Sequence, residues 1–442
     1  AADPGGRTAL HWVAKRGGAG LCEHLLGARA SPGAADGQGC TPLLLAAQSG
    51  AADVCRLLLK EGAEVDGPDH GGMTPLLWAA TSGHVNAVSE LMRARASLDS
   101  ADRDGRTPLM VAAAHGHGGL IADLVKQGAD VGRADKEGRA ALMYALQAGL
   151  EAAAIVLLNA GAGANERDRE GRTPLLLAAE KGLEALVRRL LASQADVNAS
   201  NAAGDRPLLT ALTQGHVGVC ELLLDHNADA FVRSSKGHGL LWLAVKHNLP
   251  TVCQRLLTAG LPVNAPEGLT AQTPLIAAVI EGAADLVRLL LAARALPDLR
   301  DSVGDSPLIH AAYAGHTAIC EALLEHSAGL ELRGAYGCTA LLAAVSNRQE
   351  RVAMLLVKAG ADVHVADEGG TVALHYAARA QLTGLCDVLI EAGAEMPDID
   401  SDEEGRDVGG GRSNQAAPGG LQPAVLAELA AQLLGSTMTG AR

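Results

Sequence analysis

Residues 105–131, GRTPLMVAAAHGHGGLIADLVKQGADV, decide the fold. Thr107 can cap a helix through its hydroxyl, and Pro108 suits the first turn because the N–H it lacks would have gone unpaired there. Leu109, Ala112 and Ala113 then form an apolar stripe at helical spacing, and Gly116 ends the helix. Leu120, Ile121, Leu124 and Val125 mark a second amphipathic helix, closed by Gly128 where a left-handed residue costs little. The unit reads as a helix–turn–helix hairpin with one face left apolar. It must stack on copies of itself to be stable.

The copies follow at a period of about 33 residues. The first-helix leucine recurs at Leu10, Leu43, Leu76, Leu109, Leu142, Leu175, Leu208, Leu241, Leu275, Leu308, Leu341 and Leu374. Three residues on stands an alanine, from Ala46 to Ala377, with Val13 the exception; a small residue there lets neighbouring helices approach closely. Together with Thr41-Pro42-Leu43, Thr74-Pro75-Leu76, Thr107-Pro108-Leu109, Thr173-Pro174-Leu175 and Thr273-Pro274-Leu275, this pattern resembles the ankyrin-repeat family. The resemblance covers roughly nine-tenths of the chain as about a dozen repeats. It implies an all-α ankyrin-repeat solenoid: stacked hairpins joined by β-turn fingers, with a recognition face made of finger tips and first-helix ends.

Aromatic residues make up 2% of the 442 residues, so leucine and alanine must fill the core of a chain that is 48% hydrophobic. The formal charge of −14 argues against general binding to nucleic acid or to an anionic membrane. No apolar run is long enough to span a bilayer, and the first residues carry no signal-peptide pattern. The chain starts without Met and already in repeat register, which suggests further protein upstream. Cys22, Cys55, Cys220, Cys253, Cys320 and Cys386 share the second-helix position of Ile121, where they are expected to be small core residues. Stacked helices lie about 8–10 Å apart, too far for equivalent cysteines to bridge, so reduced thiols in cytoplasm or nucleus are expected.

Three organisational segments are expected: an array over 1–397, an acidic and Gly/Pro-rich linker over 398–420, and a short amphipathic helix with tail over 421–442. Val425, Leu426, Leu429 and Leu433 supply the stripe of that helix. Arg206 replaces the capping Thr in the seventh repeat, and Gly239 and Leu240 replace Thr-Pro in the eighth, so those helix starts should be weaker and looser. One extra residue before Thr273 should make the ninth finger irregular.

Arg106, Arg139 and Arg172 share the finger position before the Thr, and Arg103, Lys136 and Arg169 lie three residues earlier. This ordered basic stripe could dock an acidic or phosphorylated peptide, although Asp104, Glu137 and Glu170 sit among the basic residues and would partly neutralise them. His115 and Lys181, at first-helix ends, belong to the same recognition face. Trp12, Trp78, Tyr144 and Tyr376 share one first-helix position and read as packing residues. His84, His117, His216 and His316 occupy a Gly-His position that the resemblance makes structural. Only His11 and His375 keep the His of the family's Thr-Pro-Leu-His motif, so the hydrogen bond it makes between fingers should be missing elsewhere. Asn165 and Asn198 resemble asparagines that some ankyrin proteins have hydroxylated.

No catalytic constellation, cofactor loop or metal-ligand spacing survives inspection. Asp398, Asp400 and Asp402 begin like a calcium loop, but Glu403 stands where the turn Gly belongs. Ser401, before Asp402-Glu403-Glu404, resembles an acidophilic kinase substrate. The function expected is that of a monomeric, cytoplasmic or nuclear scaffold or adaptor. It would bind protein partners and have no chemistry, cofactor, nucleic-acid binding or membrane insertion of its own. The alternative is the regulatory or targeting region of a larger enzyme, such as a kinase or ubiquitin-ligase component.

Overall fold

The computed structural model describes residues 2–395; the linker, the C-terminal segment and Ser401 lie outside the described residues. Among the described residues there are 24 α-helices and no strand longer than an isolated bridge. They alternate between first helices of seven or eight residues and second helices of nine, as in Pro108–His115 followed by Gly118–Lys126. The first helix starts where a Thr or Ser in extended backbone turns its hydroxyl onto the helix: Thr107 Oγ1 accepts Met110 N at 3.4 Å, and Ser306 Oγ does the same for Ile309 N. It stops at a left-handed residue, most often a glycine such as Gly116 or Gly315. As expected, Arg206 makes no side-chain cap; nor does Ala140 in the fifth repeat.

The described residues fall into two compact units, divided between Leu240 and Leu241. In each, first helices pack on first helices and second on second, so the hairpins build a helical solenoid. The repeated leucine and the alanine three residues later are almost fully buried, as in Leu109 and Ala112 or Leu308 and Ala311. This one-neighbour-at-a-time core is what 2% aromatic content can support.

Polar ladders tie successive repeats. In the first unit the loop after the second helix offers a side-chain oxygen to the next such loop: Asp66 to Ser97 N at 3.0 Å, Asp99 to Asp130 N at 3.0 Å, Asn165 to Asp196 N at 2.7 Å, and Asn198 to Asp229 N at 2.8 Å. Asn264, Asp298 and Glu331 continue the device in the second unit. The Gly-His histidines make another tie. His84, His117 and His216 donate Nε2 to Gln48 O, Thr81 O and Glu180 O of the preceding repeat at 3.1, 3.2 and 3.1 Å. Each ring lies on a glycine, and at Gly182, whose φ is +70°, a Cβ would sit 2.7 Å from His216.

All eight cysteines are free. Five of the six at the shared position are buried, and burial pushes the thiols of Cys55, Cys220, Cys253 and Cys320 up to about 12. Cys386 departs from the expectation of a core residue. It is only half-buried, because its helix Thr383–Glu391 packs against the preceding repeat and meets no further helix among the described residues.

Candidate functional site

Most of the fingers that precede a first helix are organised around one acidic residue. In the first unit these are Asp3, Asp36, Asp69, Asp102, Asp135 and Asp168, followed in register by Asn201 and Ser234; in the second unit they are Asp301 and Asp367. One carboxylate oxygen closes the turn by accepting backbone N–H groups two and four residues on. Asp102 takes Asp104 N and Arg106 N at 2.9 Å each, and Asp301 takes Val303 N and Asp305 N at 3.0 Å each. The other oxygen needs a side-chain donor, and the repeats find it in three ways.

Arg106 and Arg172 donate Nε to their own Asp102 and Asp168 at 2.7 Å. Asp36, whose finger has neither arginine nor aromatic, takes Arg7 Nε from the preceding finger at 3.0 Å. In the remaining cases the donor stands nine residues after the aspartate on the first helix. Trp12 Nε1 reaches Asp3 at 3.3 Å, Trp78 Nε1 reaches Asp69 at 3.0 Å, His310 Nε2 reaches Asp301 at 2.9 Å, and Tyr376 OH reaches Asp367 at 2.6 Å. Asp135 has both kinds, Arg139 Nε at 3.0 Å and Tyr144 OH at 2.6 Å.

These contacts correct the reading of the shared aromatic position as packing alone: its polar atom fastens the finger to its own helix. They also account for fingers without the Thr-Pro-Leu-His histidine. His11 keeps that tie, donating Nε2 to Cys40 O of the next finger at 3.0 Å. In the repeats of Trp78, Tyr144 and His310 the donor sits one residue later and acts within the repeat. The trace it leaves in the sequence is an aspartate followed nine residues on by Trp, Tyr or His, a spacing that does not by itself tell packing from donation.

Burial alone would push the Asp135 carboxyl up, but the Tyr144 hydroxyl, the Arg139 amide and the Arg139 guanidinium hold it below the ordinary value. Asp301 is likewise held low against its burial by His310. Burial and the bond to Asp367 push the Tyr376 phenol up to about 12.

The six basic finger residues divide into two sets. Arg106, Arg139 and Arg172 are partly buried and spend their guanidinium groups on finger aspartates; Arg106 and Arg172 also approach Asp104 and Glu170, at 3.5 and 3.3 Å. Arg139 lies 4.8 Å from the centre of the Tyr144 ring. By contrast Arg103, Lys136 and Arg169 are exposed. Arg169 meets Glu137 of the preceding finger at 3.3 Å, while Arg103 and Lys136 make no side-chain ion pair among the described residues. Backbone bonds set the tips in a row: Lys136 N donates to Asp104 O at 2.9 Å and Arg169 N to Glu137 O at 2.8 Å. His115 is exposed at its helix end, bonded through Nδ1 to Val111 O at 2.8 Å and stacked on His117 at 5.9 Å. Lys181 is exposed at the equivalent end of a later helix.

A family model described as ankyrin repeats, in three copies, matches overlapping stretches that together run from residue 1 to residue 401. The chain belongs to the ankyrin-repeat family. Ankyrin repeats are generally protein–protein interaction modules, and the family is typically non-catalytic. Curated proteins yield no match to the chain. Among the described residues no helix is long and apolar enough to cross a membrane, and no cluster of His, Cys, Asp and Glu side chains could hold a metal ion.

Proposed function

We propose that this ankyrin array is a scaffold or adaptor, acting as a monomer in the cytoplasm or nucleus, whose finger face receives an acidic or phosphorylated segment of a partner protein. Arg103, Lys136 and Arg169 at successive tips are the main contacts, with His115 and Lys181 at the helix ends beside them. Arg106, Arg139 and Arg172 contribute only what their finger aspartates leave open. The carrying observation is the finger itself. Its backbone is closed by a buried aspartate and bonded to the next finger, so binding would order tip side chains and little else.

The test is charge reversal at the tips. Arg103→Glu, Lys136→Glu and Arg169→Glu combined should fold as the wild type does, because these side chains are exposed. Quantitative mass spectrometry of proteins retained from lysate should show acidic or phosphorylated partners lost with this variant, and wild-type binding should weaken as salt is raised. An unchanged set of retained proteins would exclude the row as the docking site.

A further inference from the structure

The fingers of the second unit carry a different chemistry. Tips in the first unit hold Gln38, Asp104, Glu137 and Glu170, whereas three successive tips in the second hold Leu269, Val303 and Tyr336. Leu269 is fully exposed, in the irregular ninth finger that the extra residue creates, and Val303 and Tyr336 are 55% and 58% exposed. The tips form a row: Ser302 N donates to Thr270 O at 2.8 Å, and Ala335 N to Asp305 Oδ1 at 2.8 Å.

First-helix ends extend the apolar surface. Ile280 and Tyr313 are exposed at the position held by Gln48, Thr81 and Glu180 in the first unit. Tyr313 lies one turn beyond His310, whose ring holds Asp301, and so is on the finger side of its helix. Tyr336 also adopts a φ of +57°, a left-handed conformation unfavourable for an aromatic residue. A run of apolar tips, one held in strained backbone, marks an interaction surface.

We infer that this apolar stripe is the docking site of the chain's own segment 421–434, through Val425, Leu426, Leu429 and Leu433. That segment follows a Gly/Pro-rich and acidic linker of 25 residues after Glu395. Twenty-five residues can span at most about 85 Å. The three tips stand one, two and three repeats before the last described finger at Asp367, and neighbouring helices are spaced by about 8–10 Å. The tether therefore reaches them. Leu426 and Leu433 are seven residues apart, which in a helix is about 10.5 Å, or one step between neighbouring tips. Tethering supplies an effective concentration on the order of millimolar, so even a weak apolar contact is occupied. None of this requires the charged row of the first unit to bind anything.

The test places a photo-crosslinking benzoylphenylalanine at Tyr336 in the full chain, a position where an exposed aromatic ring is replaced by another. Mass spectrometry should find cross-links within one chain from Tyr336 to 421–434, at a yield unchanged by dilution. Combining Leu426→Asp with Leu429→Asp should lower that yield by about tenfold, since both leucines would no longer bury apolar surface. Circular dichroism melts check that the array is intact. Cross-links that join two copies and rise with concentration, cross-links to 421–434 that survive the double substitution, or none to that segment would each overturn the inference.

Discussion

A carboxylate taken out of water is costly unless its lone pairs are filled, and Asp135 fills its own with two backbone N–H groups, a guanidinium and a phenol. Tyr144→Phe removes the shortest of these while Arg139 remains, so urea unfolding should show a loss of about 1–2 kcal/mol. The pH dependence follows from the lowered value of Asp135. A carboxyl that titrates lower in the folded than in the unfolded chain contributes fully above the unfolded value of about 3.9. That contribution is lost as pH falls through the folded value. Stability of the wild type should therefore drop on acidification below about pH 4, and Asp135→Asn should flatten that part of the curve at the cost of a lower plateau near neutrality. Gly182→Ala meets two obstacles, a φ of +70° and the His216 ring 2.7 Å from the new Cβ. It should cost about 1–3 kcal/mol in the same assay, against little at an exposed helical site.

At the scale of the helix, the start decides more than the interior. The apolar content of Ala141–Gln147 matches its neighbours, but Ala140 stands where Thr107 and Thr173 cap the equivalent helices. Ala140 already has extended backbone, with φ −88° and ψ 169°. Thr107 and Thr173 fit their equivalent sites while almost fully buried, so the substitution brings no new bulk to the fold's plan. Ala140→Thr should stabilise by about 1 kcal/mol, read as a higher urea midpoint at unchanged slope. Arg206→Thr should gain less, because Arg206 pairs with Asp229 at 2.7 Å in a half-exposed setting and that contact is lost.

Over whole fingers, residues of one charge serve opposite purposes. Reversing Arg106, Arg139 and Arg172 to Glu sets new carboxylates against Asp102, Asp135 and Asp168, which have almost no exposed side chain. This triple variant should melt well below the wild type, whereas reversal of Arg103, Lys136 and Arg169 should leave the melting temperature within a degree or two, as surface changes away from buried partners usually do. Differential scanning fluorimetry distinguishes the two sets. Loss of binding in the first variant would therefore say nothing about docking unless its fold were shown intact.

Period, caps and apolar stripes were legible in the sequence because a hairpin's structure depends on neighbours within a turn or two, and Leu109, Ala112 and Thr107 act at that range. The array, the missing cap at Arg206 and the irregular ninth finger all follow from local spacing. What each finger residue does was not legible in that way. Whether Arg7 serves its own finger or the next, whether Tyr144 packs or donates, and which basic residues stay open are decided by which oxygen of a buried aspartate lacks a partner. Tyr144 and Arg172 reach it from within the repeat, whereas Arg7 reaches Asp36 only because hairpins some 30 residues apart stack, and the stack is what sets the burial of the carboxylate.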